Sequence, residues 1–130
     1  MANYIYGLPG DNFKTINDTF ELSKDLCTLA WNVYAAMALP GSKLYKDAVK
    51  NNIKLPDSYE GFSFHSYESQ PLRNENLSAA EILKMRDDAY IEYHNYEPFL
   101  NKIINKFGQK AVNNIKQMSN IKLKRKILGD

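Results

Sequence analysis

Few residues in this chain can do chemistry. Cys27 is its one cysteine, and His65 and His94 are its two histidines. A single cysteine has no partner for a disulfide. It also cannot supply the several thiolates that hold a four-iron cluster. The two histidines stand far apart and follow no ligand spacing, so the chain is not expected to bind a metal by itself. Cys27 falls on the apolar face of an expected helix, where a cysteine behaves as a small buried hydrophobe. His65 lies among Tyr59, Phe62, Phe64, Tyr67 and Gln70. An imidazole there is a candidate general acid or base; the competing reading gives it a structural role.

The elements that must position these groups are clearest at the start. Asn3-Tyr4-Ile5-Tyr6 is a short β-favouring run, broken by the turn residues of Gly7-Leu8-Pro9-Gly10-Asp11-Asn12. A helix is expected from Phe13 to Cys27, with Phe13, Ile16, Phe20 and Cys27 near one face. Asp11 or Asn12 can cap it, and Glu21 can pair with Lys24. Trp31 to Ala36 is a second strand, apolar enough to be covered on both faces. Leu39-Pro40-Gly41-Ser42 ends it, and Ser42 can cap a helix from Lys43 to Asn51. Strand, crossover helix and strand in about 35 residues is the size of one βαβ unit. Its strands are parallel, so both Gly/Pro loops fall at their carboxyl ends. That edge carries the active sites of α/β barrels and open α/β sheets.

Residues 3–11 resemble the fifth strand and loop of radical S-adenosylmethionine (SAM) enzymes. Residues 36–45, Ala36-Met37-Ala38-Leu39-Pro40-Gly41-Ser42-Lys43-Leu44-Tyr45, resemble the end of their sixth strand and the next helix. Leu72, the run Leu77-Ser78-Ala79-Ala80-Glu81-Ile82-Leu83, and Lys122-Leu123-Lys124-Arg125-Lys126 are similar to the C-terminal extension of the cobalamin-binding (B12-binding) branch. The resemblance covers nearly the whole chain, which looks like the last third of such an enzyme. The family's Cys-x-x-x-Cys-x-x-Cys motif and its N-terminal cobalamin domain are absent.

The resemblance implies a fold class and a set of roles. The fold is α/β: residues 1–51 are the last two strands and helices of a partial (β/α) barrel, 52–77 an aromatic-rich ordered loop, and 78–130 a helical C-terminal extension. The family pattern at the adenine of SAM is Gly-x-Ile-x-Gly-x-x-Glu. Ile5 and Gly7 match it, while Asn3 and Gly10 replace the outer residues. The backbone near Ala36 and Met37 is the other expected adenine contact. Gly7 and Gly41 are expected as neighbours across the sheet. His65 and Tyr67 are speculative substrate contacts, if the loop reaches across the barrel mouth; otherwise its aromatics fasten the extension to the barrel. SAM, a 4Fe-4S cluster and cobalamin are implied for the complete enzyme, with none expected to bind this chain tightly.

The C-terminal half reads as helices. Ser78 and Glu81 form a capping box. The helix they open carries Ile82, Leu83, Arg86, Ala89, Tyr90 and Tyr93 on one side and ends near Asn95. Pro98 suits the first turn of the next helix, which shows Phe99, Leu100, Ile103, Ile104 and Phe107 and ends at Gly108. A third carries Ala111, Val112, Ile115 and Met118. The segment from Ile121 to Leu128 is read as a basic helix end with a solvated charged face.

At 130 residues the prior is one domain. A net charge of +2 does not by itself imply nucleic acid. Nine Tyr and six Phe argue against global disorder. No apolar run approaches the ~18 residues of a membrane span, and no signal peptide is visible, so the expected location is the cytoplasm. A sheet needs about three strands for independent stability, and only two are found. An open parallel edge invites another chain, so either helices cover it, or a partner polypeptide bearing the missing strands and cluster motif completes it, or the fragment is poorly stable. Met1, directly before the first strand, is where a divided gene would place a start codon. Two functions compete: a catalytically incompetent part of a radical SAM enzyme, supplying one side of the adenine pocket and a substrate lid, or a non-catalytic helical protein-interaction module.

Overall fold

The computed structural model describes all residues 1–130. It is a small mixed α/β protein with a two-stranded parallel sheet and five α-helices. Strand β1 spans Ala2–Tyr6, α1 Phe13–Leu26, β2 Trp31–Ala35 and α2 Lys43–Lys50. After a 3-10 turn at Tyr59–Phe62 come α3 at Ala79–His94, α4 at Glu97–Phe107 and α5 at Gln109–Ser119. A second 3-10 turn covers Lys126–Leu128.

Local chemistry sets these boundaries. Asn12 caps α1 through a capping box with Thr15, and Cys27 closes the helix in the left-handed region at φ 44°. The helix therefore stops one residue short of the expected Cys27. Ser42 caps α2 by accepting from the Tyr45 N–H. Ser78 and Glu81 form the expected reciprocal box at α3. Pro98 sits in the first turn of α4, and Gly108 separates α4 from α5.

The two strands pair in register, Ala2 with Trp31 through Tyr6 with Ala35. Side chains alternate across a strand, so Tyr4, Tyr6, Trp31, Val33 and Ala35 share one face. That face belongs to the main core, with Ile16 and Phe20 of α1, Ile82, Ala89 and Tyr93 of α3, Phe99 and Ile103 of α4, and Val112 of α5. One core thus runs from the βαβ unit into the C-terminal helices. At its centre the Trp31 ring stacks on Tyr93, centroids 4.6 Å apart and planes 8° from parallel. Such pairs add about 0.5–1.5 kcal/mol beyond area burial. Ala38, Ala48 and Leu72 form a smaller second core under α2.

The opposite sheet face is only half covered. Asn3 and Ile5 are exposed, and Asn32 and Tyr34 are partly buried. The sole aromatic cover at Tyr34 is Phe64, 5.0 Å away, contributed by the loop after α2. Phe62 of the same loop reaches Tyr45, 6.5 Å away. Phe62 and Phe64 thus pack this segment against α2 and β2, while Tyr59 is exposed.

The two sheet edges differ. The Ala2 N–H donates to the Ala30 carbonyl and the Ala36 N–H to the Tyr6 carbonyl. Parallel alternation then turns the N–H and C=O groups of Asn3 and Ile5 outward, to an edge with no further strand. At the far edge of β2, Arg86 Nε donates to the Val33 carbonyl at 2.9 Å, and the Val33 N–H donates to Asn32 Oδ1 at 2.9 Å. Side chains therefore close the β2 edge at Val33, while no side chain bonds the outward groups of Asn3 and Ile5 on β1.

The C-terminal segment corrects the sequence reading. Ile121 to Arg125 has no helix, and only Lys126–Leu128 forms a 3-10 turn. Nor is its charge all solvated: Arg125 is fully buried. No helix is long and apolar enough to cross a membrane.

Candidate functional site

At the carboxyl end of β1 the loop is closed on itself. Asp11 Oδ2 accepts the N–H groups of Gly7 and Leu8 at 3.0 and 3.1 Å, and Asp11 Oδ1 accepts the Thr15 hydroxyl at 2.9 Å. Asn74 donates its side-chain amide to the Leu8 and Asp11 carbonyls, and Asn76 also donates to Asp11. Gly7 is buried, with φ +86°. A Cβ there would come within 2.7 Å of Ile82. A positive φ and a helix side chain pressed against Cα both require glycine here. Gly41 also has positive φ, +89°, but stands in open space. The two glycines are thus placed differently, one packed on α3 and the other free of neighbours.

The other predicted adenine contacts also differ from one another. Ile5 is half exposed on the uncovered sheet face. Ala36 and Met37 are buried. Ala36 spends its N–H on Tyr6 and its carbonyl on the Leu72 N–H, and the Met37 carbonyl accepts from Leu39. Ile5 therefore offers a side-chain surface, whereas the Ala36 backbone is fully engaged.

His65 and Tyr67 lie elsewhere, beside α3 and the C-terminal segment. The Tyr67 hydroxyl donates to the Asp130 backbone oxygen at 3.1 Å, and the Tyr67 carbonyl accepts from the Lys126 N–H at 2.9 Å. His65 lines a cavity of about 880 Å³ between α3, α5, the start of β2 and the last ten residues. Pockets of roughly 300–1,000 Å³ are the usual size for small-molecule sites. Ile5, Gly7, Ala36, Met37 and Tyr67 line neither this cavity nor a second one of about 610 Å³ near Cys27 and Lys102.

Two residues that line the larger cavity, Arg86 and Asp87, belong to an ionic network with the buried Arg125 behind them. Arg125 grips Asp87 with two bonds, Nε to Oδ2 at 2.8 Å and Nη2 to Oδ1 at 3.0 Å. Its Nη1 donates to the Ser66 carbonyl at 2.9 Å. Arg86, 4% exposed, shares Asp87 through one bond from Nη1 at 2.9 Å. Partial burial, then the Arg86 and Arg125 charges, hold the His65 pKa below the ordinary imidazole value; Asp87 opposes them. Burial likewise lowers His94, against the bond between its Nδ1 and the Tyr90 carbonyl. Burial pushes the Tyr93 hydroxyl up to about 12, partly offset by its 2.8 Å bond to the Thr28 carbonyl.

Arg86 was visible in the sequence as one member of the apolar side of α3. Asp87 and Arg125 were not. Arg125 stands among Lys122, Lys124 and Lys126, which read together as one wet basic face. No group of three His, Cys, Asp or Glu is gathered to hold a metal ion. No protein-family model, no curated protein and no solved structure matches the chain.

Proposed function

We propose that the chain is the C-terminal portion of a radical SAM enzyme of the cobalamin-binding branch, as a fragment or a separately encoded part, and that it completes a barrel whose other strands and cluster cysteines lie outside these 130 residues. The family assignment rests on the resemblance of residues 3–11, 36–45 and the C-terminal runs. One structural observation supports the role of a barrel part. The β1 edge and the Ile5 side of its face are left open, while Arg86 bonds the β2 edge at the Val33 carbonyl. A last pair of barrel strands has that asymmetry, with one edge awaiting a neighbour and one face lining a lumen.

In the complete enzyme, SAM and a four-iron cluster would supply radical chemistry. This chain's residues do not fit the cluster, because Cys27 is solitary and buried. For SAM they fit one side only. Ile5 offers the adenine an apolar surface, and Gly7 shapes the strand end beneath it. Substrate identity belongs to the complete assembly.

The test is calorimetric titration of SAM into the chain alone and into its complex with a polypeptide bearing the three-cysteine motif. Weak or absent binding is expected alone, and measurable binding in the complex. Ile5→Asp, at an exposed position, should weaken binding in the complex several-fold without unfolding the chain. Gly7→Val is unsuitable, since its side chain would strike Ile82. If the complex binds SAM with unchanged affinity after Ile5→Asp, the adenine-wall role is wrong. If no such complex forms, the helical interaction module is the better reading.

A further inference from the structure

The cations that line the large cavity beside α3, Lys84, Arg86 and Lys122, face three carboxylates, Asp87, Asp88 and Asp130. Lys84 is paired with Asp88, Lys122 with Asp130, and Arg125 bidentately with Asp87. Arg86 is left with a single bond to an Asp87 oxygen that Arg125 already uses. Its Nε is committed to the Val33 carbonyl, and its Nη2 makes no hydrogen bond within the chain. The residue is nonetheless 4% exposed. That Nη2 is not among the sealed, unpartnered polar atoms of the core, so it is a donor that an incoming group can reach. A guanidinium fork suits the oxygens of a carboxylate or phosphate.

The surroundings define the rest of the ligand. His65 lines the same cavity as Arg86. Much of the remaining lining is apolar, with Trp31, Tyr90, Ile91 and Met118, and the Arg86 guanidinium lies 5.4 Å from the centre of the Tyr90 ring. Ile91 and Met118 are partly exposed there, at 36% and 52%. We infer that this cavity binds a small molecule with an oxyanion group on Arg86 and His65 and a flat apolar body against Trp31, Tyr90 and Met118. The site is separate from the Ile5 surface and does not depend on the radical SAM reading.

Trp31 is the chain's one tryptophan, so its fluorescence reports on the cavity directly. The full chain is titrated with benzoate, phenyl phosphate and neutral benzamide at constant ionic strength. Benzoate or phenyl phosphate should give a saturable change, and benzamide should bind at least tenfold more weakly. The better of the two anions shows whether the site prefers a carboxylate or a phosphate. Arg86→Gln should lower anion affinity at least tenfold. Because Arg86 also holds β2, the second variant is His65→Ala, at an exposed position, expected to weaken binding about threefold to tenfold with the fold intact. The inference is overturned if neither anion saturates, if benzamide binds as well as the anions, or if both variants remain folded and bind with wild-type affinity.

Discussion

At the scale of single residues, Arg125 is set apart from the basic run that contains it. Its three lysine neighbours remain in water, yet it is withdrawn completely and bound to Asp87, Ser66 and, through its N–H, Asp130. Nothing in the local sequence separates it from the lysines, because its partner lies 38 residues away in α3. Removing one member of a buried pair strands the other, at a cost of about 3–5 kcal/mol. Asp87→Asn should therefore lower stability by about 3 kcal/mol, read as a lower urea midpoint with unchanged slope. Loss of under about 0.5 kcal/mol would show that water solvates the pair. Ser78 is the opposite case, fully legible beforehand. Its hydroxyl accepts the Glu81 N–H at 3.2 Å, and Glu81 returns a bond to the Ser78 N–H at 2.8 Å. Ser78→Ala should cost about 1 kcal/mol. A midpoint equal to wild type would mean that other bonds replace the cap.

At the scale of elements, the sequence shows both strands and all five helices, because each has its own signal: alternation, a cap, a proline in a first turn or a closing glycine. The final basic segment lacks such a signal, and tertiary bonds from Arg125 and Lys126 hold it in place of a helix. The candidate site was legible in part. Ile5 and Gly7 fall at the strand end as expected from parallel pairing. The engagement of the Ala36 backbone depends on Leu72, and the packing of Gly7 depends on Ile82. Those contacts join segments distant in sequence, which no local pattern encodes. Gly7→Ala should destabilise the βαβ unit against α3, since it combines strain at φ +86° with a Cβ 2.7 Å from Ile82. A loss above about 1 kcal/mol is expected. A variant as stable as wild type would show that the strand end can move away from α3.

For the whole molecule, the shared core makes the βαβ unit and the C-terminal helices depend on one another, and His94 sits at their junction. Its ring lies 5.9 Å from Trp31 and 5.5 Å from Phe99. The folded state holds the imidazole pKa below its ordinary value, chiefly by burial. The unfolded chain takes up the proton near the ordinary ~6.5, before the folded chain does. The stability linked to His94 is therefore fully present above that pH and is lost as pH falls toward the folded value. His65, shifted in the same direction, adds to the loss. Melting temperature should drop between about pH 7 and about pH 5, and less steeply in a folded His94→Gln variant. Equal slopes would exclude His94 as a cause. The open β1 edge belongs to this scale as well, because an unpaired parallel edge is a template for another chain. The most direct measurement is anaerobic purification of the chain from its native cells, with sequencing of what accompanies it and an absorption spectrum of the complex. The account predicts a stoichiometric partner carrying Cys-x-x-x-Cys-x-x-Cys and a four-iron cluster. Recovery of the chain as a stable monomer, with no cluster-bearing partner, would contradict it.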